Sequence, residues 1–324
     1  MHLSRINIQH IDFSDDSYSL VPPCCGAAIP ATLVESVRRC GILHPPIVKE
    51  KSTSSFALVS GRKRLLAAKQ AMPAASYDCH KITEKTPEIA ILALALEDAL
   101  LSRPLTPAER AVFFSKALRF IDENELAGRF LPLLGLAAST YLIRRELKLL
   151  DLEEPLLIAI HEGALDDKVA FELTKFPFSD RVALFEVISA LHLSVGNQKK
   201  LVITCRELAE RNDTTIAALL RTPAVDAVIN HADANAPQKT ANLMKWLTCE
   251  RYPRLSRAEQ EFQQFITELA LPETARLEHS PSFEKDELIF TLACSGRSDF
   301  LTIWEKIRHL LPATKKDGLA KNED

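Results

Sequence analysis

The run Phe56-Ala57-Leu58-Val59-Ser60-Gly61-Arg62-Lys63-Arg64-Leu65-Leu66-Ala67-Ala68 constrains this chain more than any other segment. Phe56 to Val59 reads as a short strand, Ser60-Gly61 as a tight turn, and Arg62 to Met72 as a helix. A turn that ends in Gly and passes at once into a helix aims backbone N–H groups and the positive end of the helix dipole at one point, where an anion is favoured. Arg62, Lys63 and Arg64 add three cations at that point. Cations oppose the dipole there, so they are poor choices for helix stability alone. A phosphate would relieve the conflict.

The flanks extend the pattern. Thr32-Leu33-Val34-Glu35 reads as a capping box with Thr32 as N-cap. Leu33, Val34, Val37 and Cys40 share one helix face, and Gly41 is a natural stop. Pro45-Pro46 blocks a helix, and Ile47-Val48 begins a strand that precedes a polar turn at Ser52 to Ser55. The segment is therefore helix, strand, strand, helix, whereas the first 20 residues show no clear periodicity. Thr86-Pro87-Glu88 opens a helix that is apolar nearly all round and is expected to be buried, with Pro87 at its first position. Thr106-Pro107-Ala108-Glu109 is a second capping box, opening a helix to about Ile121.

From there to about Leu220 the chain reads as short helices separated by Gly135, Gly163, Pro177 and Gly196. Glu125 to Leu134, a turn at Gly135-Leu136-Ala137-Ala138, and Ser139 to Leu150 fit a helix-turn-helix, with Ser139 suited to cap the second helix. Tyr141, Leu142, Ile143, Leu147, Leu149 and Leu150 supply its packing face. Arg144, Arg145 and Lys148 give it a basic side; with Ser139 and Thr140 they form the candidate DNA-contacting set. Pro132 is expected to kink or shorten the first helix. His231 to Thr240 reads as a linker. Ser256-Arg257-Ala258-Glu259 caps a helix to about Ala270, Glu287 to Cys294 reads as a strand, and Ser298 to Leu311 as a closing helix.

A chain of 324 residues is expected to form two or three domains. The reading is mixed α/β and α: a small α/β domain over 1–103, a helical middle over 104–230, and a small α+β domain over 241–312. Net charge is -3, so any contact with nucleic acid must come from local basic patches. The seven cysteines are odd in number and scattered, without C-x-x-C, which suggests buried thiols in a reducing cytosol. No apolar signal segment opens the chain, and its longest apolar stretch, Ile89 to Leu96, is too short to span a bilayer, so a cytoplasmic protein with no membrane role is expected. The nine histidines lack metal-site spacing, and no Walker loop or Gly-x-Ser-x-Gly elbow occurs.

Three stretches, in order, resemble the ParB family of chromosome- and plasmid-partition proteins, within the ParB/sulfiredoxin superfamily. Gly41-Ile42-Leu43-His44-Pro45-Pro46-Ile47-Val48 is similar to the family's first box, and Phe56 to Ala68 to its second. Leu96-Glu97-Asp98 through Leu105-Thr106-Pro107-Ala108-Glu109 is similar to its third. The resemblance implies an N-terminal domain that binds CTP with magnesium, a helix-turn-helix middle, dimerisation at the C-terminus, and DNA and a ParA-type ATPase as partners at the nucleoid. It points to Gly41, Pro45, Ser60, Gly61, Arg62, Lys63, Arg64, Asp98 and Arg103 as nucleotide-binding residues, and to Glu97 and Asp98 as metal ligands. The chain departs from the pattern: Arg62 replaces a Glu, Ala99 an amide, and the third-box Arg position holds Ser102, with Arg103 beside it. Weak or absent CTP hydrolysis is therefore expected. The sulfiredoxin branch carries a catalytic Cys in its turn, which is missing here. No carboxylate cluster supports a two-metal nuclease. The alternative to a partition protein is a non-catalytic DNA- or protein-binding regulator with a degenerate nucleotide pocket.

Overall fold

Phe56 to Val59 can be continuously apolar because a sheet buries it on both faces. In the computed structural model, which describes residues 1–26, 29–52, 54–285 and 287–310, seven strands form two sheets. The larger comprises β1 (His2–Asn7), β2 (Ile11–Asp12), β3 (Ile47–Ser52), β4 (Ser55–Ser60) and β5 (Ser76–Ile82). They lie in the order β1-β5-β3-β4-β2. β3 is antiparallel to β4 and parallel to β5. Alternation along β4 sorts its side chains to opposite faces. Phe56 and Leu58 join Val48, Leu65, Ala67 and Ala68 beneath α1 (Ala31–Cys40) and α2 (Arg62–Ala71). Ala57 and Val59 face the other way, into a core with Leu92, Leu96, Phe113 and Phe130.

That second core continues into the helices that follow. α3 (Glu88–Leu100) buries Ile91, Leu92, Ala95 and Leu96, as its all-round apolarity predicts. α4 (Pro107–Ala117) starts with the expected capping box: Thr106 Oγ1 accepts from Glu109 N at 3.3 Å, and Glu109 Oε2 accepts from Thr106 N at 2.9 Å. Next come α5 (Glu123–Phe130), α6 (Thr140–Leu147), α7 (Glu154–Glu162), α8 (Asp167–Leu173), α9 (Phe178–Ala190), α10 (Val195–Arg211), α11 (Ile216–Leu220) and α12 (Pro223–Ile229). Met1–Thr240 is one compact unit.

A second unit begins at Ala241, inside α13 (Ala236–Arg251). It contains α14 (Pro253–Leu269), a hairpin of β6 (Ala275–His279) and β7 (Leu288–Leu292), and α15 (Arg297–Leu310). Phe283 stacks on His279 with ring centroids 3.7 Å apart. Leu288, Ile289 and Phe290 of β7 are exposed, as are Phe300, Leu301 and Trp304 of α15.

Several local expectations change. Thr32 does not cap α1; Pro30 stands at the N-cap, and Glu35 pairs instead with Arg38 at 2.8 Å. Pro87 is the N-cap of α3, not its first residue. Ser256 lies inside α14, which starts a turn earlier because Pro253 occupies the position where a missing N–H costs nothing. Gly196 sits in the first turn of α10 and breaks nothing, and the expected linker gives way to helix at Ala236. β1, β2, β5 and β6 are not legible in the sequence, their patterns being short and interrupted by polar residues. Of the cysteines, only Cys25, Cys79 and Cys205 are buried. Thr53 in the expected turn, and residues 311 and 312 at the expected end of the last domain, lie outside the described residues.

Candidate functional site

Gly61 turns β4 into α2 with φ +88°, and a Cβ there would meet Pro46 Cβ at 2.8 Å. The turn therefore needs glycine twice, for its backbone angle and for the close approach of the Pro45-Pro46 segment. This packing brings all three boxes together at Arg64. Its Nη1 donates to the carbonyl of His44 in the first box, and its Nη2 lies 3.5 Å from Asp98 Oδ2 in the third. The hydroxyl of Ser60 also donates to Asp98.

A cavity of about 370 Å³ opens beside the turn, lined by Ser60, Gly61, Arg62 and Lys63 on one side and by Asp16 and Tyr18 to Gly26 in part on the other. A second hollow of about 240 Å³ shares Ser60 to Lys63 with it and adds Arg64, Asp98 and Ser102. Ala99, Arg103, Leu105 and Glu109 line both. Gly41, Pro45 and Glu97 line neither. Gly41 instead ends α1 at φ +71°, and Glu97 is exposed.

The three cations of the turn have different surroundings. Arg62 Nη1 donates to Phe13 O at 2.8 Å and Nη2 to Asp15 O at 3.1 Å, and it also pairs with Asp16. Arg64 is engaged as described. Lys63 is exposed and makes no ion pair among the described residues. Much of the charge that opposes the dipole of α2 is thus met by protein carbonyls and carboxylates. Arg103 holds Glu109 in a two-pronged pair at 2.8 and 2.6 Å. Burial pushes the Glu109 carboxyl up, but Arg103 and the Thr106 N–H outweigh it and hold it below the usual carboxylate range. His161 Nδ1 lies 3.6 Å from Glu109 Oε1 and is buried without a hydrogen bond. Among the described residues, no three His, Cys, Asp or Glu side chains are grouped to hold a metal.

The second candidate surface is α5, its following turn, and α6. Pro132 shortens the first helix as expected: α5 ends at Phe130, and Pro132–Leu134 forms a 3-10 turn closed by Gly135 at φ +70°. Ser139 stands at the N-cap of α6 without a side-chain hydrogen bond, and Thr140 is its first residue. Ile143 and Glu146 are fully buried. Glu146 takes a bidentate pair from Arg110 Nε at 2.9 Å and Nη2 at 2.8 Å, locking α6 onto α4. Tyr141, Arg144 and Lys148 are exposed and fall on one helical stripe. Arg144 pairs with Glu123 at 2.8 Å. Two expectations are corrected here. Tyr141 belongs to the exposed stripe, not the packing face, and Arg145 is half-buried with its guanidinium 4.3 Å from the Phe171 ring centre.

No family model matches the chain. It is 27% identical over 171 residues to the chromosome 1-partitioning protein ParB of Deinococcus radiodurans, covering 53% of this chain and 56% of that protein. It is 34% identical over 141 residues to the stage 0 sporulation protein J of Bacillus subtilis, covering 42% of this chain and 45% of that protein. The chain is a divergent ParB-like protein. The match spans about half the length of those relatives. A solved structure of C-terminally truncated ParB from Caulobacter crescentus, complexed to the centromeric parS site, is 18% identical, covers 61% of this chain and 98% of that one, and has a TM-score of 0.33.

In this ParB-like chain, sequence reading missed three parts of the cavity: the Asp16–Gly26 wall, Glu109 as a lining carboxylate, and His161. The first lies in a segment without periodicity. The capping box marked Glu109 only as a helix start. His161 is a single histidine on a helix, which carries no signal in sequence. Among the described residues, no helix is long and apolar enough to cross a membrane.

Proposed function

We propose that this chain is a DNA-binding ParB-like protein that takes a nucleoside triphosphate, CTP by its family resemblance, at the Ser60–Arg64 turn and acts in DNA partition or regulation. The observation that carries the reading is Arg64, which reaches the His44 carbonyl and Asp98 at the mouth of a cavity beside a helix N-terminus. The Gly61 backbone and Lys63 would meet phosphate oxygens, with Arg64 and Arg103 turning from Asp98 and Glu109 to join them. Magnesium would be held by Asp98, phosphate oxygens and water, because Glu97 is exposed and lines neither hollow. Ala99 offers no ligand where the family has an amide, so turnover is slow or absent. DNA would meet Tyr141, Arg144 and Lys148, with Ser139 and Thr140 at the start of α6. The exposed apolar residues of β7 and α15 suit a homodimer. A ParA-type ATPase and a cytoplasmic, nucleoid-bound location belong to the same reading, as does the division into 1–103, 104–230 and 241–312.

Calorimetry with CTP, ATP, GTP and UTP, each with magnesium, tests it. CTP is expected to bind, and Arg64→Ala to weaken it about ten- to a hundredfold, the effect of one charge-assisted contact. No heat at millimolar nucleotide would leave the regulator with a degenerate pocket. One observation favours that second reading: Arg62 is already committed to Phe13, Asp15 and Asp16.

A further inference from the structure

A second cleft, of about 510 Å³, lies on the other side of the Asp15–Tyr18 segment, between it and the end of α4. Lys49, Lys51, Lys116, Arg119 and Phe120 line it, and Tyr18 is the one residue it has in common with the cavity beside the turn. Two carboxylates also line it, and both are claimed. Glu88 takes Lys49 Nζ and the Tyr18 hydroxyl. Asp15 takes Lys51 Nζ at 2.9 Å and Ser17 N at 2.9 Å. Nearby Asp16 pairs with Arg62. The cleft therefore has two cations in excess, Lys116 and Arg119.

Lys116 donates to two backbone carbonyls, Asp16 O and Ser19 O, the latter at 2.6 Å. An ammonium has three N–H groups, and the third has no acceptor among the described residues. Among the described residues no carboxylate lies within ion-pair distance of it. Arg119 is exposed and makes no ion pair among the described residues. A partly buried ammonium beside a guanidinium, with no carboxylate between them, is costly unless an anion is shared. We propose that this cleft is a second phosphate-binding site, in which one phosphate group bridges Lys116 and Arg119. A guanidinium presents paired donors that match phosphate oxygens, and the ammonium supplies a point charge alongside. The charge balance agrees. Burial pushes Lys116 down to about 8 against the pull of the Asp16 and Asp15 carboxylates, and the Arg119 and Arg62 charges add to that push. A bound phosphate would reverse it.

The phosphate could belong to a free phosphate compound or to a nucleic-acid backbone, and the experiment separates the two. Binding of inorganic phosphate to the full chain is followed by 31P line broadening. Binding of a duplex of arbitrary sequence is followed by anisotropy across a salt series. Both are measured for the wild type, Arg64→Ala, Arg119→Ala and Lys116→Met. Arg119→Ala is the decisive variant, because an exposed side chain can be removed without unfolding the protein. Loss of phosphate affinity by about tenfold in Arg119→Ala, with Arg64→Ala retaining it, supports the site with a free phosphate as its ligand. A fall of about one unit in the salt slope for the duplex in Arg119→Ala supports it with backbone phosphate as the ligand. Arg119→Ala behaving as wild type in both arms overturns the proposal. So does phosphate binding that only Arg64→Ala abolishes, since that places the ion at the turn.

Discussion

Gly61→Ala should be the most damaging small substitution at the turn, and its cost divides into separable parts. At φ +88° an alanine pays backbone strain of about 1–2 kcal/mol. Its Cβ would stand 2.8 Å from Pro46 Cβ and 3.2 Å from Pro46 Cα. Pro46 cannot swing away, because its ring is fixed to the backbone, so the overlap adds about 1–3 kcal/mol. Alanine narrows the unfolded ensemble and returns roughly 0.4–1 kcal/mol. The net loss is about 1–5 kcal/mol. Gly135→Ala is the control: φ is +70°, yet nothing lies within 4 Å of the new Cβ. It should lose about 1 kcal/mol or less, from strain alone. Urea unfolding of both variants, with slopes equal to wild type, measures the difference. If Gly61→Ala costs no more than Gly135→Ala, the close approach of Pro46 is not what makes glycine necessary, and the three boxes do not depend on it to meet at Arg64.

Glu146→Ala leaves Arg110 half-enclosed without its carboxylate and should cost about 3–5 kcal/mol in urea unfolding, whereas Arg110→Met combined with Glu146→Leu should recover most of it. Lys116 supplies a pH test. Its pKa of about 8 is below the ordinary 10.5, so between those values the unfolded chain binds the extra proton and stability rises with pH. Measured across pH 7.5 to 10.5, the unfolding free energy of the wild type should rise relative to that of Lys116→Met, and an identical pH dependence of the two would refute it. Replacing Arg144 and Lys148 together with alanine should lower the salt slope of duplex binding by up to about two units while leaving the melting temperature near wild type, and an unchanged slope would remove α6 as the DNA surface.

Local chemistry made much of this protein legible in its sequence. The Ser60-Gly61 turn, the Thr106 capping box, the buried apolar α3 and the break at Pro132 all follow from contacts within a few residues, and each is present in the fold. So does the resemblance that led to a ParB-like reading, since the boxes are themselves short local patterns. Other features depended on residues far apart in the chain. β1 and β5 pair with each other across some seventy positions, and their polar, irregular sequences give no period to read. Thr32 and Ser256 have good capping sequences, but prolines at Pro30 and Pro253 set the actual helix starts. The turn's cations looked alike in sequence. Only tertiary packing distinguished them, sending Arg62 to the Phe13 and Asp15 carbonyls and the Asp16 carboxylate and Arg64 to His44 and Asp98 while leaving Lys63 in solvent. The same holds for Glu109 with His161 and for Lys116 with Arg119. A residue's charge is written in the chain, but which groups desolvate it, and which partners answer it, is decided by segments that meet only when the protein folds.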